Sequence, residues 1–218
     1  MELLGWQFQP CFIVMVSKVK VPLAPPERQP FAPGVLLSTA PVIVALTTFH
    51  AAMFAGSSAV SIVVGHEFEA PAHVGALFSL CAVLEVALMS LFVLRPAERA
   101  SRSLLLLGFL VFSVSFFLPI AWPGLASLYV AQGFRAAGIA IISIVGMALL
   151  QELLPGRTGI AAALFGGTAS TGLLLSGLGV GSLAHFCGYW SVFGACGALC
   201  LAGAAACAVA QRPGHAGT

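Results

Sequence analysis

The stretch Gly124-Leu125-Ala126-Ser127-Leu128-Tyr129-Val130-Ala131-Gln132-Gly133-Phe134-Arg135-Ala136-Ala137-Gly138-Ile139-Ala140-Ile141-Ile142-Ser143-Ile144-Val145-Gly146-Met147-Ala148-Leu149-Leu150 decides the fold. It carries one charge, Arg135, and is otherwise almost wholly apolar. A hydrocarbon layer about 30 Å thick is crossed by a helix of about 20 mainly apolar residues, so this run is long enough to span a bilayer. The rest of the chain is of the same kind. Of its 218 residues 60% are hydrophobic and 7% charged, whereas soluble domains carry roughly 25% charge. Nine Lys/Arg and seven acidic residues, all Glu, cannot coat a soluble globule of this size. The net charge of +2 and the scattered basic residues leave no nucleic-acid footprint. The expected solvent is the lipid bilayer.

Working outward from this run, five more can be marked, giving six: Val35–Val64, Ala72–Leu94, Ser103–Ile120, Gly124–Leu150, Gly159–His185 and Tyr189–Ala210. Turn chemistry separates them at Gly65-His66-Glu67-Phe68-Glu69-Ala70-Pro71, Arg95-Pro96-Ala97-Glu98, Ala121-Trp122-Pro123-Gly124 and Leu154-Pro155-Gly156-Arg157. The fold class is therefore all-α: a polytopic membrane protein of six transmembrane helices at 35–210. Residues 1–34 form an N-terminal stub and a Pro-rich linker, and 211–218 a short tail. In the stub, Lys18 and Lys20 follow the short apolar run Cys11–Val16 instead of preceding it, which argues against a cleavable signal peptide.

The basic residues set an orientation. Lys18, Lys20 and Arg28 precede span one, Arg95, Arg99 and Arg102 separate spans two and three, Arg157 separates four and five, and Arg212 follows six. All eight fall on one side of the membrane, and the opposite turns hold no Lys or Arg. Both termini are expected in the cytoplasm.

Charged side chains within spans are costly, about 2.5–3.5 kcal/mol at the bilayer centre, so they are expected to face a partner or a watery cavity. Arg135 in span four and Glu85 in span two fall at similar depth, either as a structural ion pair or as solute- or proton-coupling groups. In span one, Thr47, His50, Ser57 and Ser61 line one helical stripe, and an intramembrane His can exchange a proton near neutral pH or simply be hydrogen-bonded within the bundle. Span five carries Thr168, Thr171, Gly172, Ser176, Gly179 and Ser182 on one face, with Gly177 and Gly181 in the spacing that allows close helix contact or, with the hydroxyls, a polar path. Span three is nearly all Leu, Phe and Val and reads as lipid-facing, and span six reads as peripheral too. Most cysteines lie in or at the ends of apolar runs. Cys196 and Cys200 share a helix face, but no His or carboxylate lies near them in sequence, so they read as packing residues and no metal or cofactor is expected.

Six spans with both ends inside and every third helix peripheral resemble one half of a major facilitator transporter, built from inverted repeats of three helices. Local motifs sharpen the likeness. Phe78-Ser79-Leu80-Cys81-Ala82-Val83-Leu84-Glu85-Val86-Ala87-Leu88-Met89 is similar to the intramembrane-Glu segment of the bacterial sugar efflux transporters of that superfamily. Gln151-Glu152-Leu153-Leu154-Pro155-Gly156-Arg157-Thr158-Gly159, running on to Leu164-Phe165, resembles their QDLLPGRxGxATTLF stretch, and Gly188-Tyr189-Trp190-Ser191-Val192-Phe193 the opening of their last helix. The order matches the C-terminal six-helix half of those proteins. Two departures stand out: Ala162-Ala163-Leu164-Phe165-Gly166-Gly167 replaces a more polar TTLFTN stretch, and the loop at Leu94-Arg95-Pro96-Ala97-Glu98-Arg99 keeps basic character without the usual Gly and Asp.

The resemblance implies proton-coupled efflux of a sugar-like solute by alternating access in the bacterial inner membrane. It implies a cavity of Glu85, Arg135, His50, Gln132 and Thr171, a cytoplasmic gating loop of Arg95, Arg99 and Arg102, and a second six-helix half or a homodimer as partner. The alternative is a truncated six-helix remnant that does not transport. An intramembrane serine protease is disfavoured, because span four lacks the Gly-x-Ser-Gly setting and span six contains no His.

Overall fold

A computed structural model describes residues 33–94 and 102–209. Arg95, Arg99 and the expected N-terminal stub and C-terminal tail lie outside the described residues, so the gating loop is represented only by Arg102. Among the described residues there are six α-helices and no strand: α1 (Pro33–His66), α2 (Pro71–Leu94), α3 (Arg102–Ala121), α4 (Leu125–Leu153), α5 (Thr158–Cys187) and α6 (Tyr189–Val209). All six contain stretches long and apolar enough to cross a membrane. Apart from the donors missing at Pro41 in α1 and Pro119 in α3, helices meet the need of a polypeptide in hydrocarbon by pairing backbone groups within themselves. The protein is a multi-pass membrane protein.

Helix boundaries follow local chemistry. α1 and α2 open on Pro33 and Pro71, where the missing N–H costs nothing and the ring presets the helical φ. The α4–α5 connection is a four-residue turn, Leu154 to Arg157, closed by the Arg157 N–H donating to the Leu154 carbonyl at 3.1 Å. Pro155 supplies the fixed φ at its second position and Gly156, at φ 73°, the positive φ at its third, as a type II turn requires. At the end of the bundle formed by the α1–α2 and α5–α6 turns, the Trp190 indole N–H donates to Glu67 at 2.6 Å. His73 is hydrogen-bonded to the Tyr129 hydroxyl at 2.9 Å, tying the start of α2 to α4.

α1 is the hub, packed against α6, α5, α4 and α2, while α3 packs on α4 and α6. The core is aromatic. Phe49 of α1 meets Phe112 of α3 with ring centroids 5.1 Å apart, and Phe112 meets Phe116 edge-on at 5.1 Å. With no hydrophobic effect between helices in lipid, such tight van der Waals packing holds the bundle. Span three is thus two-faced, not simply lipid-facing: Phe109, Phe112 and Phe116 are buried, while Leu107, Leu110, Val114 and Phe117 look outward. The bare helices are instead α2 and α5. Only 11% and 17% of their spanning residues are buried, against 44% to 56% in the other four.

Candidate functional site

Arg135 lies at the centre of the α1–α4 contact and is 5% exposed. Its Nη2 donates to the Met53 carbonyl at 2.8 Å and to Ser57 Oγ, and the Ser57 hydroxyl in turn donates to the same Met53 carbonyl at 2.8 Å. The guanidinium is therefore held by neutral oxygens of α1. Glu85, half-buried on α2, lies within electrostatic range of Arg135 but forms no ion pair with it. Of the two readings of Arg135 and Glu85, an ion pair or solute- or proton-coupling groups, the direct pair across α2 and α4 is not formed, and Arg135 instead links α4 to α1. The Arg stem is long enough to reach either neighbour, and carbonyl and hydroxyl at Met53 and Ser57 offer two adjoining acceptors.

His50 sits on the α1–α5 seam, 5% exposed and ringed by Phe49, Phe54 and Phe165 with ring centroids 4.9, 6.5 and 5.3 Å away. Its Nδ1 lies 2.8 Å from the Leu46 carbonyl, which can only accept, so Nδ1 carries the proton and donates there. Thr168 Oγ1 is 3.3 Å from the same nitrogen while donating its own proton to Phe165 O at 2.7 Å. The seam is this tight because of Gly172. A Cβ there would lie 2.6 Å from His50 Cβ and 2.7 Å from the Ala51 backbone nitrogen. Thr168, not Thr171, is the α5 hydroxyl that meets His50; Thr171 is exposed and bonds back to Gly167 O at 2.9 Å.

The hydroxyls of α1 and α5 do not line a continuous polar path. Thr47, Ser61, Ser170, Ser176 and Ser182 each donate to a carbonyl three or four residues back on their own helix. This satisfies them cheaply in lipid. A groove of ≈ 470 Å³ between α1, α5 and α6 contains no charged side chain, and its hydroxyls, Thr47, Thr48 and Ser176, are all committed to backbone. None of their protons is left for a solute oxygen. Gly177 and Gly181 have open space where a Cβ would sit, so their close-packing spacing serves no contact among the described residues. Gln132, one turn from Arg135, is 2% exposed, and its Oε1 has no hydrogen-bond partner. Among the described residues no cluster of His, Cys, Asp or Glu can hold a metal, and Cys81, Cys196, Cys200 and Cys207 are buried, unpaired packing residues.

These features bring Arg135, Gln132 and Ser57 together on one seam and His50 with Thr168 on the next, leaving Glu85 and Thr171 toward the bare faces of α2 and α5. Comparison with known proteins gives this geometry a context. The chain is 38% identical over 162 residues to the "Putative sugar efflux transporter" of Deinococcus radiodurans, a match covering 74% of this chain and 42% of that protein. It is 40% identical over 70 residues to "Sugar efflux transporter A" of Escherichia coli K12, covering 30% of this chain and 18% of the transporter. No family model and no solved structure matches. The chain spans less than half the length of the curated relatives it matches. With six spanning helices among its described residues, the chain is similar to two bacterial proteins named as sugar efflux transporters, over a stretch shorter than half of their length.

Proposed function

We propose that the chain is the membrane-embedded half of a secondary transporter that exports sugar-like solutes across the bacterial inner membrane, with both termini cytoplasmic. The observation that carries this reading is the 38% identity to a sugar efflux transporter together with two spanning helices, α2 and α5, that are left almost uncovered. A lone bundle would bury its small-residue faces. Here Gly166, Ser170, Gly177 and Gly181 recur at 4, 7 and 4 residues along one exposed stripe of α5, a surface suited to close approach of another helix. A second six-helix unit, either another half or a second copy, covers these faces and encloses a central cavity.

On this reading Glu85 and Thr171 face that cavity, with His50, Gln132 and Arg135 behind them. Glu85 is the proton-coupling carboxylate, since it is intramembrane, only half-buried and not consumed by an ion pair. Arg95, Arg99 and Arg102 form the basic loop that closes the cytoplasmic side between the two alternating states.

The assembly is tested by photo-crosslinking in native membranes. A benzophenone amino acid at Val83 on α2 or Leu174 on α5, 67% and 70% exposed, is expected to give a discrete protein adduct. The same probe at Val114 on the outer face of α3, 41% exposed, is expected to give lipid adducts alone. Lipid adducts from all three positions would mean that α2 and α5 face the bilayer, and the half-transporter reading would fall.

A further inference from the structure

We propose that the small cavity between α1, α3, α4 and α6 is a built site for a single water molecule, held between the Gln132 side chain and the backbone of α3. The cavity measures ≈ 10 Å³ and is lined by Gln132 and Arg135 of α4, Ser115, Phe116 and Pro119 of α3, and Phe193 of α6 among others. That is the lower limit of the space one water needs, and far too little for any larger solute.

One oxygen at this site has no hydrogen-bond partner, and a second has lost its regular helical donor. Gln132 Oε1 is buried without a partner, a condition that costs about 1–3 kcal/mol for an amide oxygen and is rare in folded proteins. The second is the Ser115 carbonyl. Its helical partner would be the N–H four residues on, but that residue is Pro119, inside α3, which has none. The Ser115 hydroxyl does not fill the gap, since it donates to the Phe112 carbonyl at 2.7 Å.

Two acceptors on residues that line one cavity call for a ligand with two protons to donate. A metal cation or an ammonium would also answer oxygens, but Arg135 lines the same cavity and its positive charge disfavours a second cation. Water is neutral, small enough and a double donor. Its own oxygen then accepts: Arg135 has five N–H donors, and the contacts to α1 use only those on Nη2. The water joins α3 to α4 beside the α1–α4 link that Arg135 makes, and the coincidence of a helix proline with an orphaned glutamine oxygen is explained by one molecule.

Radiolytic footprinting of the chain in lipid nanodiscs tests the site, because radicals formed from a bound water oxidise the side chains touching it. Phe116 and Phe193 are each 1% exposed, and Phe109, about two turns before Phe116 on α3 and outside the cavity, is 0% exposed and serves as the dry control. Oxidation of Phe116 and Phe193 is expected to exceed that of Phe109 at least about fivefold. Gln132→Leu removes one acceptor and should return both to the Phe109 rate. Where that variant fails to fold, Pro119→Ala, which restores the N–H to the Ser115 carbonyl, should have the same effect. Equal oxidation of the three phenylalanines in the parent chain, or oxidation unchanged in a folded variant, would overturn the proposal.

Discussion

Gly172→Val is expected to destabilise the bundle by about 3 kcal/mol, at the upper end of what overpacking a tight interface costs. The atoms a Cβ would strike belong to the α1 backbone and to the root of His50: His50 Cβ at 2.6 Å, Ala51 N at 2.7 Å and His50 C at 2.8 Å. None of these is the free end of a side chain that can turn aside. The only relief is to push α5 off α1, and that movement breaks the Thr168–His50 approach at 3.3 Å and opens the ring of phenylalanines around the imidazole. The change is read as the unfolded fraction in a denaturing-detergent titration. Gly177→Val is the matched control. It lies on the same helix with open space around it, so the isolated chain should tolerate it within about 0.5 kcal/mol, the range of ordinary surface substitutions. Equal losses in the two variants would show that helix propensity, not the α1–α5 approach, governs the result.

The second large effect separates the size of Arg135 from its charge. Arg135→Ala removes the hydrogen bonds to Met53 and Ser57 and leaves a hole at the junction of α1 and α4. Each intramembrane hydrogen bond is worth about 0.6 kcal/mol on average, up to about 1.7, and truncating a large buried side chain costs about 2–5 kcal/mol. Against this stands the relief of the cost of keeping a charge in the membrane, about 2.5–3.5 kcal/mol. In Arg135→Met the chain volume is largely kept and Ser57 still bonds to the Met53 carbonyl, so the gains and losses nearly cancel. The Met variant is therefore expected to match the parent within about 1 kcal/mol and the Ala variant to fall about 3 kcal/mol below it, as cavity formation requires. A Met variant as unstable as the Ala variant would mean that the charge itself holds the helices together.

The six helices were legible in the sequence because lipid leaves the backbone so few options. The expected spans Val35–Val64, Ser103–Ile120 and Tyr189–Ala210 correspond to Pro33–His66, Arg102–Ala121 and Tyr189–Val209. Proline and glycine at Pro71, Pro123, Pro155 and Gly188 marked where they stop or start. Which face each helix turns to its neighbours was less legible, since apolar residues suit both lipid and core. Span three shows this: its phenylalanines, read as lipid contacts, divide into a buried set at Phe109, Phe112 and Phe116 and an outward Phe117. Arg135 and Glu85 stand out in the sequence as charges within spans, but depth alone does not say which neighbour an arginine reaches. The α1 carbonyl it uses, Met53, carries no signal in sequence. Thr168 was named on the polar face of span five; its pairing with His50 depends on the helix crossing at Gly172, which only the folded bundle shows.

Efflux from a chimera tests most directly whether this chain is the working half of a sugar exporter. The 162 residues it shares with the Deinococcus radiodurans relative would replace their counterpart in that protein, which supplies the remaining length. Cells preloaded with a labelled, non-metabolised thioglycoside are then followed for loss of label. The chimera is expected to release the sugar at a rate close to that of the parent relative, and, with Glu85 proposed as the coupling carboxylate, Glu85→Gln in the chimera to slow release at least about tenfold. A chimera that reaches the membrane in the same amount as an active parent, yet releases sugar no faster than cells without it, would contradict the account.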